Sequence, residues 1–254
     1  LSIGNTMSMS IVITCKLVQD GHGAVFSMIV ALLACTIAGA ISGLIVVKLK
    51  VNSFIATLGM MMLLKGGSLI ITDTRPIYFN DVAGFDLISF GSAASALLAG
   101  WPLPNGVLIM FLLAWFSAAV LNKTALGRYA FAMGSNEEAV RLSGVDVDRW
   151  KVSIYAFAGG ICGLAGLLMA SRLNSAQPAL GQGYELDAIA AVVIGGTSLS
   201  GGVGTVLGTL IGAFFMSVLI NGLRILSVAQ EWQIVLTGLI IILAVYTDHL
   251  RKDA

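Results

Sequence analysis

The side chains that could do chemistry in this chain are few, and they sit beside long apolar runs. Lys65 interrupts MMMLLKGGSLIIT, and Glu185 and Asp187 flank the start of LDAIAAVVIGGTSL. A charge next to or inside an apolar run is costly in a bilayer, so these three are candidates for a solute pathway. Asn174, Ser175, Gln177 and Gln182 precede the carboxylate pair, and Thr197 lies in the glycine-rich run that follows it. Amides and hydroxyls suit the hydroxyls of a sugar, and equally suit a solvated loop. The pathway candidates are therefore Lys65, Asn174, Gln177, Glu185, Asp187 and Thr197. Each has a plain structural role open to it as well: the carboxylates can oppose a helix dipole, and Lys65 can snorkel.

Catalysis in the membrane would need a nucleophile and a base within hydrogen-bond reach. The histidines are His22, in an expected external turn, and His249, in the C-terminal tail, so a buried Ser–His pair is not expected. Neither an HExxH nor a GxSxG pattern occurs. Cys15, Cys35 and Cys162 stand singly in apolar stretches without CxxC spacing, which reads as packing thiols, with no metal site. The run Gly195-Gly196-Thr197-Ser198-Leu199-Ser200-Gly201-Gly202-Val203-Gly204 lacks the lysine of a phosphate loop, and Gly202, Gly204 and Gly208 do not make the dinucleotide spacing. It reads as a tight reversal between helices. No catalytic residue and no cofactor held by the chain itself is expected.

The elements that must position these groups follow from composition. Hydrophobic residues make up 57% of the 254 positions and charged residues 11%, against roughly 25% charged in soluble domains. The apolar residues arrive in blocks of roughly 17 to 25, the length that crosses a hydrocarbon core. Spans are expected at Ile3–Val18, Ala24–Val47, Phe54–Ile71, Trp101–Leu121, Lys151–Ala170, Thr205–Leu223 and Gln233–Tyr246. Leu186–Leu199 is too short to cross comfortably and reads as a half-helix or re-entrant segment. The expected fold is an all-α polytopic transmembrane bundle, a single transmembrane domain over 1–254, with about seven full spans plus one short helix. With a formal net charge of +1 and no basic stripe, nucleic acid is not an expected partner; membrane lipid is. The chain opens at Leu1 without an initiator Met or signal peptide, so an internal fragment is expected.

Placing Leu1 on the cytoplasmic side puts Lys48, Lys50, Lys123, Arg128, Arg141, Arg149, Lys151, Arg251 and Lys252 inside, nine of the 14 Lys and Arg residues, as the positive-inside rule favours. On this topology Asp73–Gly100 is the main extracytoplasmic loop. Asn122–Trp150 is cytoplasmic and the most charged stretch. Within it SNEEAVRL carries a helix-start pattern, with Ser135 as N-cap and Glu138 three residues on, and Ser143-Gly144 ends the helix by glycine capping. A capped amphipathic helix between two spans either docks a partner or connects them along the membrane surface.

The segment NEEAVRLSGVDVDRWKVSIYAFAGGICGLAGLL resembles the cytoplasmic coupling region and following helix of the ribose/xylose/galactose-type ABC sugar permeases. SAQP leading into GYELDAIAAVVIGGTSLSGGVG is similar to that family's signature almost residue for residue, and FIATLGM and LSIG resemble further blocks. The similarity covers essentially the whole chain. It implies the inner-membrane subunit of an ATP-binding cassette importer, working as a permease dimer by alternating access. ATP would be bound by a separate cytoplasmic ATPase, and a periplasmic sugar-binding protein would deliver solute. It also implies that the usual opening spans are absent. By the resemblance Gly134, Asn136, Glu137, Glu138, Ala139, Arg141, Leu142, Ser143 and Gly144 form the ATPase-coupling element. A stand-alone secondary carrier or channel is the competing reading, disfavoured because carriers bury Asp, Glu or His along their spans.

Overall fold

Apolar runs bounded by Gly, Ser and Asn become helices in the computed structural model, which describes residues 1–78, 87–91, 104–178 and 180–253. In chain order they are α1 (Ile3–Gln19), α2 (Ala24–Lys48), α3 (Ser53–Ile71), β1 (Ile77–Tyr78), α4 (Leu87–Phe90), α5 (Asn105–Lys123), α6 (Ala125–Leu142), α7 (Val147–Leu173), β2 (Ser175–Ala176), α8 (Tyr184–Ile194), α9 (Val206–Ile225) and α10 (Gln230–Asp253). The protein is an all-α, polytopic membrane protein, apart from one antiparallel pair that sets Ile77 against Ala176 and Tyr78 against Ser175. Residues 79–86 and 92–100 of the expected external loop, and Trp101 of the expected fourth span, lie outside the described residues.

Among the described residues five helices are long and apolar enough to cross a membrane: α2, α3, α5, α7 and α9. Their packing inverts the soluble pattern. On α2 the large side chains of Ile29, Leu33, Ile37 and Ile41 are exposed, while Ser27, Ala31, Cys35, Ala38 and Ser42 are buried. Lipid accepts the large apolar groups, and small residues let backbones approach. The expected spans at α1 and α10 fall short of the same criterion. α1 has 17 residues, and the apolar stretch of α10 that lies among the described residues is Gln230–Leu243.

The chain divides into two compact units, Leu1–Leu113 with Asp148–Glu185, and Ala114–Val147 with Leu186–Ala254. In the first, α1 packs against α2 and α3, and its Ile11, Val12 and Cys15 form a core with Ile77, Ala170 and Ala176. Enclosure explains its low hydropathy: Asn5, Thr6, Ser8, Ser10 and Thr14 are all buried, and each hydroxyl has a local or partner carbonyl. Ser10 donates to the Gly163 carbonyl at 2.8 Å, and Thr14 to that of Ser10 at 2.8 Å. α2 meets α7 backbone to backbone, where a Cβ on Gly39 would overlap the Tyr155 carbonyl and one on Gly159 the Cys35 carbonyl. In the second unit α8, α9 and α10 pack through Ala190, Ala191 and Met216 with Ile220 and Ile240 around them.

Several boundaries differ from expectation. α7 runs from Val147 to Leu173, beyond Lys151–Ala170, because the polar flanks Asp148, Arg149 and Arg172 are helical but not apolar. α8 ends at Ile194, not at Leu199. The Gly196 amide donates to the Val193 carbonyl and the Thr197 amide to that of Val192, with Gly196 at φ 84°. This is the hydrogen-bond pair of a glycine-terminated helix. At 11 residues α8 is about 16 Å long, roughly half a hydrocarbon core.

Candidate functional site

The stretch expected to face the cytoplasm includes the polar end of α6. α6 is not one straight helix: Asn136 sits at φ −155° and ψ 99° inside it. The break follows from the side chain, whose Oδ1 accepts a hydrogen bond from the Ala139 amide at 3.0 Å. That is the N-cap interaction, three residues ahead. Asn136 is therefore the cap of the short helix Glu137–Leu142, and the expected cap at Ser135 is corrected by one residue. Asn competes as well as Ser for this place, and Ser135 stays in the preceding helical segment. Gly144 closes the element as expected, at φ 83° with its amide donating to the Arg141 carbonyl at 3.2 Å. Glu137 and Arg141 form an i,i+4 ion pair at 3.4 Å, a weak surface contribution.

Glu138, Ala139, Arg141, Leu142, Ser143 and Gly144 are all exposed. Leu142 is 83% exposed, although the stretch around it is polar rather than a lipid-facing span. It is a large apolar side chain presented at the end of a capped helix in a charged segment. Gly134 is half-buried and lies against Gly201 and Gly202.

The pathway candidates are not gathered into one cluster. Asn174 is exposed at φ 50° and its amide donates to the Ala170 carbonyl; it ends α7, a place where Asn tolerates left-handed backbone. Gln177 and Gln182 are exposed. The connector they belong to is not simply a solvated loop. Ser175, Ala176, Pro178 and Gly181 are buried, and Ser8 donates to the Pro178 carbonyl at 3.1 Å. Ala176 packs on Ile11, Val12 and Cys15, and Gly181 lies backbone to backbone with Gly4. The connector thus runs back along α1 toward its N-terminus, and α8 starts beside Gly4. Irregular backbone is tolerated at membrane depth when protein covers it in this way.

Glu185 sits at that start. Its Oε2 would lie 2.5 Å from a Cβ on Gly4, and it is buried with no hydrogen-bond partner among the described residues. Lys65 is half-buried on α3, and neither it nor Glu185 makes an ion pair among the described residues. Asp187 is half-buried and has a partner. Thr197 packs on Gly204, where a Cβ would lie 2.7 Å from its Cγ2; it braces the turn after α8. The Asn136 break and the Gly134 contact are the features that pattern reading missed. A cap signal at Asn136 was present in the sequence, beside the equally good one at Ser135.

The family model for the permease component of branched-chain amino acid transport systems matches residues 1–245. The chain belongs to this permease family. The ribose import permease protein RbsC of Escherichia coli K12 is 41% identical to the permease over 253 residues, covering 99% of this chain and 77% of that protein. The fructose import permease protein FrcC of Rhizobium meliloti is 36% identical over 256 residues, 100% of this chain and 71% of that protein. The galactose/methyl galactoside import permease protein MglC of Haemophilus influenzae is 35% identical over 269 residues, 99% of this chain and 78% of that protein. No solved structure matches the permease. The protein is a multi-pass transport permease of the inner membrane.

Proposed function

We propose that this permease is the membrane-spanning subunit of an ATP-driven importer of a sugar or sugar-like solute. The family description names branched-chain amino acids, yet relatives at 35% to 41% identity over nearly the whole chain are named for ribose, fructose and galactose. The shared sugar names of these relatives favour a sugar. The bundle would have about seven spans, counting α1 and α10, with α8 and the connector before it sharing one further crossing.

A separate cytoplasmic ATPase binds ATP and docks on 134–144, a periplasmic sugar-binding protein delivers solute, and a second permease chain completes the pathway. The chain itself is not an enzyme. Closure of the ATPase pair displaces the coupling elements and biases the spans between inward- and outward-facing packings. The exposure of Leu142 carries this reading. Leu142→Asp is expected to abolish copurification of the ATPase and ATP-dependent uptake, while the isolated permease keeps its thermal stability. ATPase retention at the wild-type level in that variant would overturn the docking assignment.

A further inference from the structure

The coupling element is in backbone contact with a second structure whose role the docking reading leaves open. Gly134 and Ser135, the two residues before the Asn136 break, meet the turn at Gly201 and Gly202. A Cβ built on Gly201 would lie 2.6 Å from the Gly134 carbonyl oxygen and 2.9 Å from its Cα. One on Gly202 would lie 3.1 Å from the Ser135 Cβ and 3.2 Å from its Cα. Gly134 and Gly201 meet backbone to backbone and only the Ser135 Cβ stands at Gly202, so there is little compliant layer to absorb a displacement of one segment against the other.

The turn is closed on itself and tied to a helix at each end. The Ser198 amide donates to the Val203 carbonyl at 3.0 Å, and the Gly201 amide to that of Ser198 at 3.1 Å. Gly201 and Gly202 hold φ 89° and 78°. Upstream, Gly196 and Thr197 cap α8; downstream, the Thr205 Oγ1 caps α9 by accepting from the Gly208 amide at 3.0 Å. α8 and α9 then pack through glycine backbones, where a Cβ on Gly208 would overlap the Gly195 carbonyl and one on Gly212 that of Ala191. The hairpin α8–turn–α9 is a stiff unit with its tip on the coupling element and Glu185 at the far end of α8.

We infer that Gly201 and Gly202 are positioning residues that pass the ATPase-driven displacement of 136–144 to the α8–α9 hairpin. This rests on the docking reading, and its failure is separable from failure of that reading. If the wild-type permease does not bind its ATPase, the docking reading falls; if it binds and the variants below behave otherwise than stated, this inference falls.

The test uses the assembled transporter in proteoliposomes with its ATPase and binding protein. Gly201→Ala introduces a Cβ at the contact, and Gly196→Ala is the matched control. Gly196 also has positive φ, 84°, but a Cβ there meets nothing within 4 Å, so both variants carry the backbone strain and one carries the clash. Gly201→Ala is expected to keep ATPase copurification and basal ATP hydrolysis but to lose uptake about tenfold, within the usual range of coupling energies. Gly196→Ala is expected to retain uptake. Equal losses in both, no loss in either, or loss of copurification in Gly201→Ala would each overturn the inference.

Discussion

Gly212→Ala gives the sharpest test of how the α8–α9 hairpin is built. The new Cβ would overlap the Ala191 carbonyl oxygen and lie 2.9 Å from both the Ala191 carbonyl carbon and the Gly195 amide nitrogen, against the 3.4 Å at which ordinary contact begins. Every atom it meets is backbone, so no rotamer change relieves the clash and the helices must part. Overpacking costs about 1–3 kcal/mol, and a backbone obstacle places this substitution near the upper figure. Replacing Gly by Ala inside a helix returns about 1 kcal/mol of propensity, which leaves a net loss of about 2 kcal/mol. Gly222→Ala on the same helix meets nothing within 4 Å and should keep the propensity gain of about 1 kcal/mol. The two variants then differ by about 3 kcal/mol, or about 6–12 °C in Tm for a chain of this size. Thermal unfolding in detergent micelles measures this directly. A Gly212→Ala variant as stable as Gly222→Ala would refute the claim that the hairpin packs through glycine backbones.

Glu185→Gln keeps shape and removes charge at the buried, unpartnered Oε2. If that oxygen accepts a solute hydroxyl, exchange of a charged for a neutral acceptor loses about 1.4 kcal/mol and raises the uptake KM about tenfold, with Tm nearly unchanged. A fall in Tm with KM constant would reduce Glu185 to a helix-dipole partner. Asn174→Gly should leave uptake and stability intact, because Gly adopts the φ of 50° at least as readily as Asn. Asn174→Val should lower stability by about 1–2 kcal/mol. Loss of uptake in Asn174→Gly with normal stability would instead show that the amide touches solute.

Helix existence was legible wherever apolar runs were long, because membrane length and composition leave little choice. α2, α3 and α9 begin and end within a few residues of expectation. α1 was legible as a helix, although its Ser, Thr and Asn residues lower its hydropathy, and only enclosure by α2, α3 and the connector after α7 shows why they are tolerated. The connector was the larger miss. Polar residues at Asn174, Gln177 and Gln182 suggested a solvated loop, while the buried Pro178 and Gly181 between them, which reveal its path along α1, carry no distinctive pattern. At the end of α6 the sequence offered two adjacent caps, Ser135 and Asn136, and only the backbone torsions and the Asn136 side-chain hydrogen bond chose between them. Long-range backbone contacts such as Gly134 with Gly201 leave no trace in a single sequence beyond the presence of glycine.

The central claim is that transport by this permease is driven by ATP hydrolysed in a partner subunit. Uptake of a radiolabelled sugar, chosen as the one its binding protein takes up, into proteoliposomes containing the permease, its ATPase and that binding protein should require ATP on the ATPase face and should persist when the proton and sodium gradients are collapsed by ionophores. Uptake by the permease alone, independent of ATP and abolished by those ionophores, would contradict the account and establish a secondary carrier.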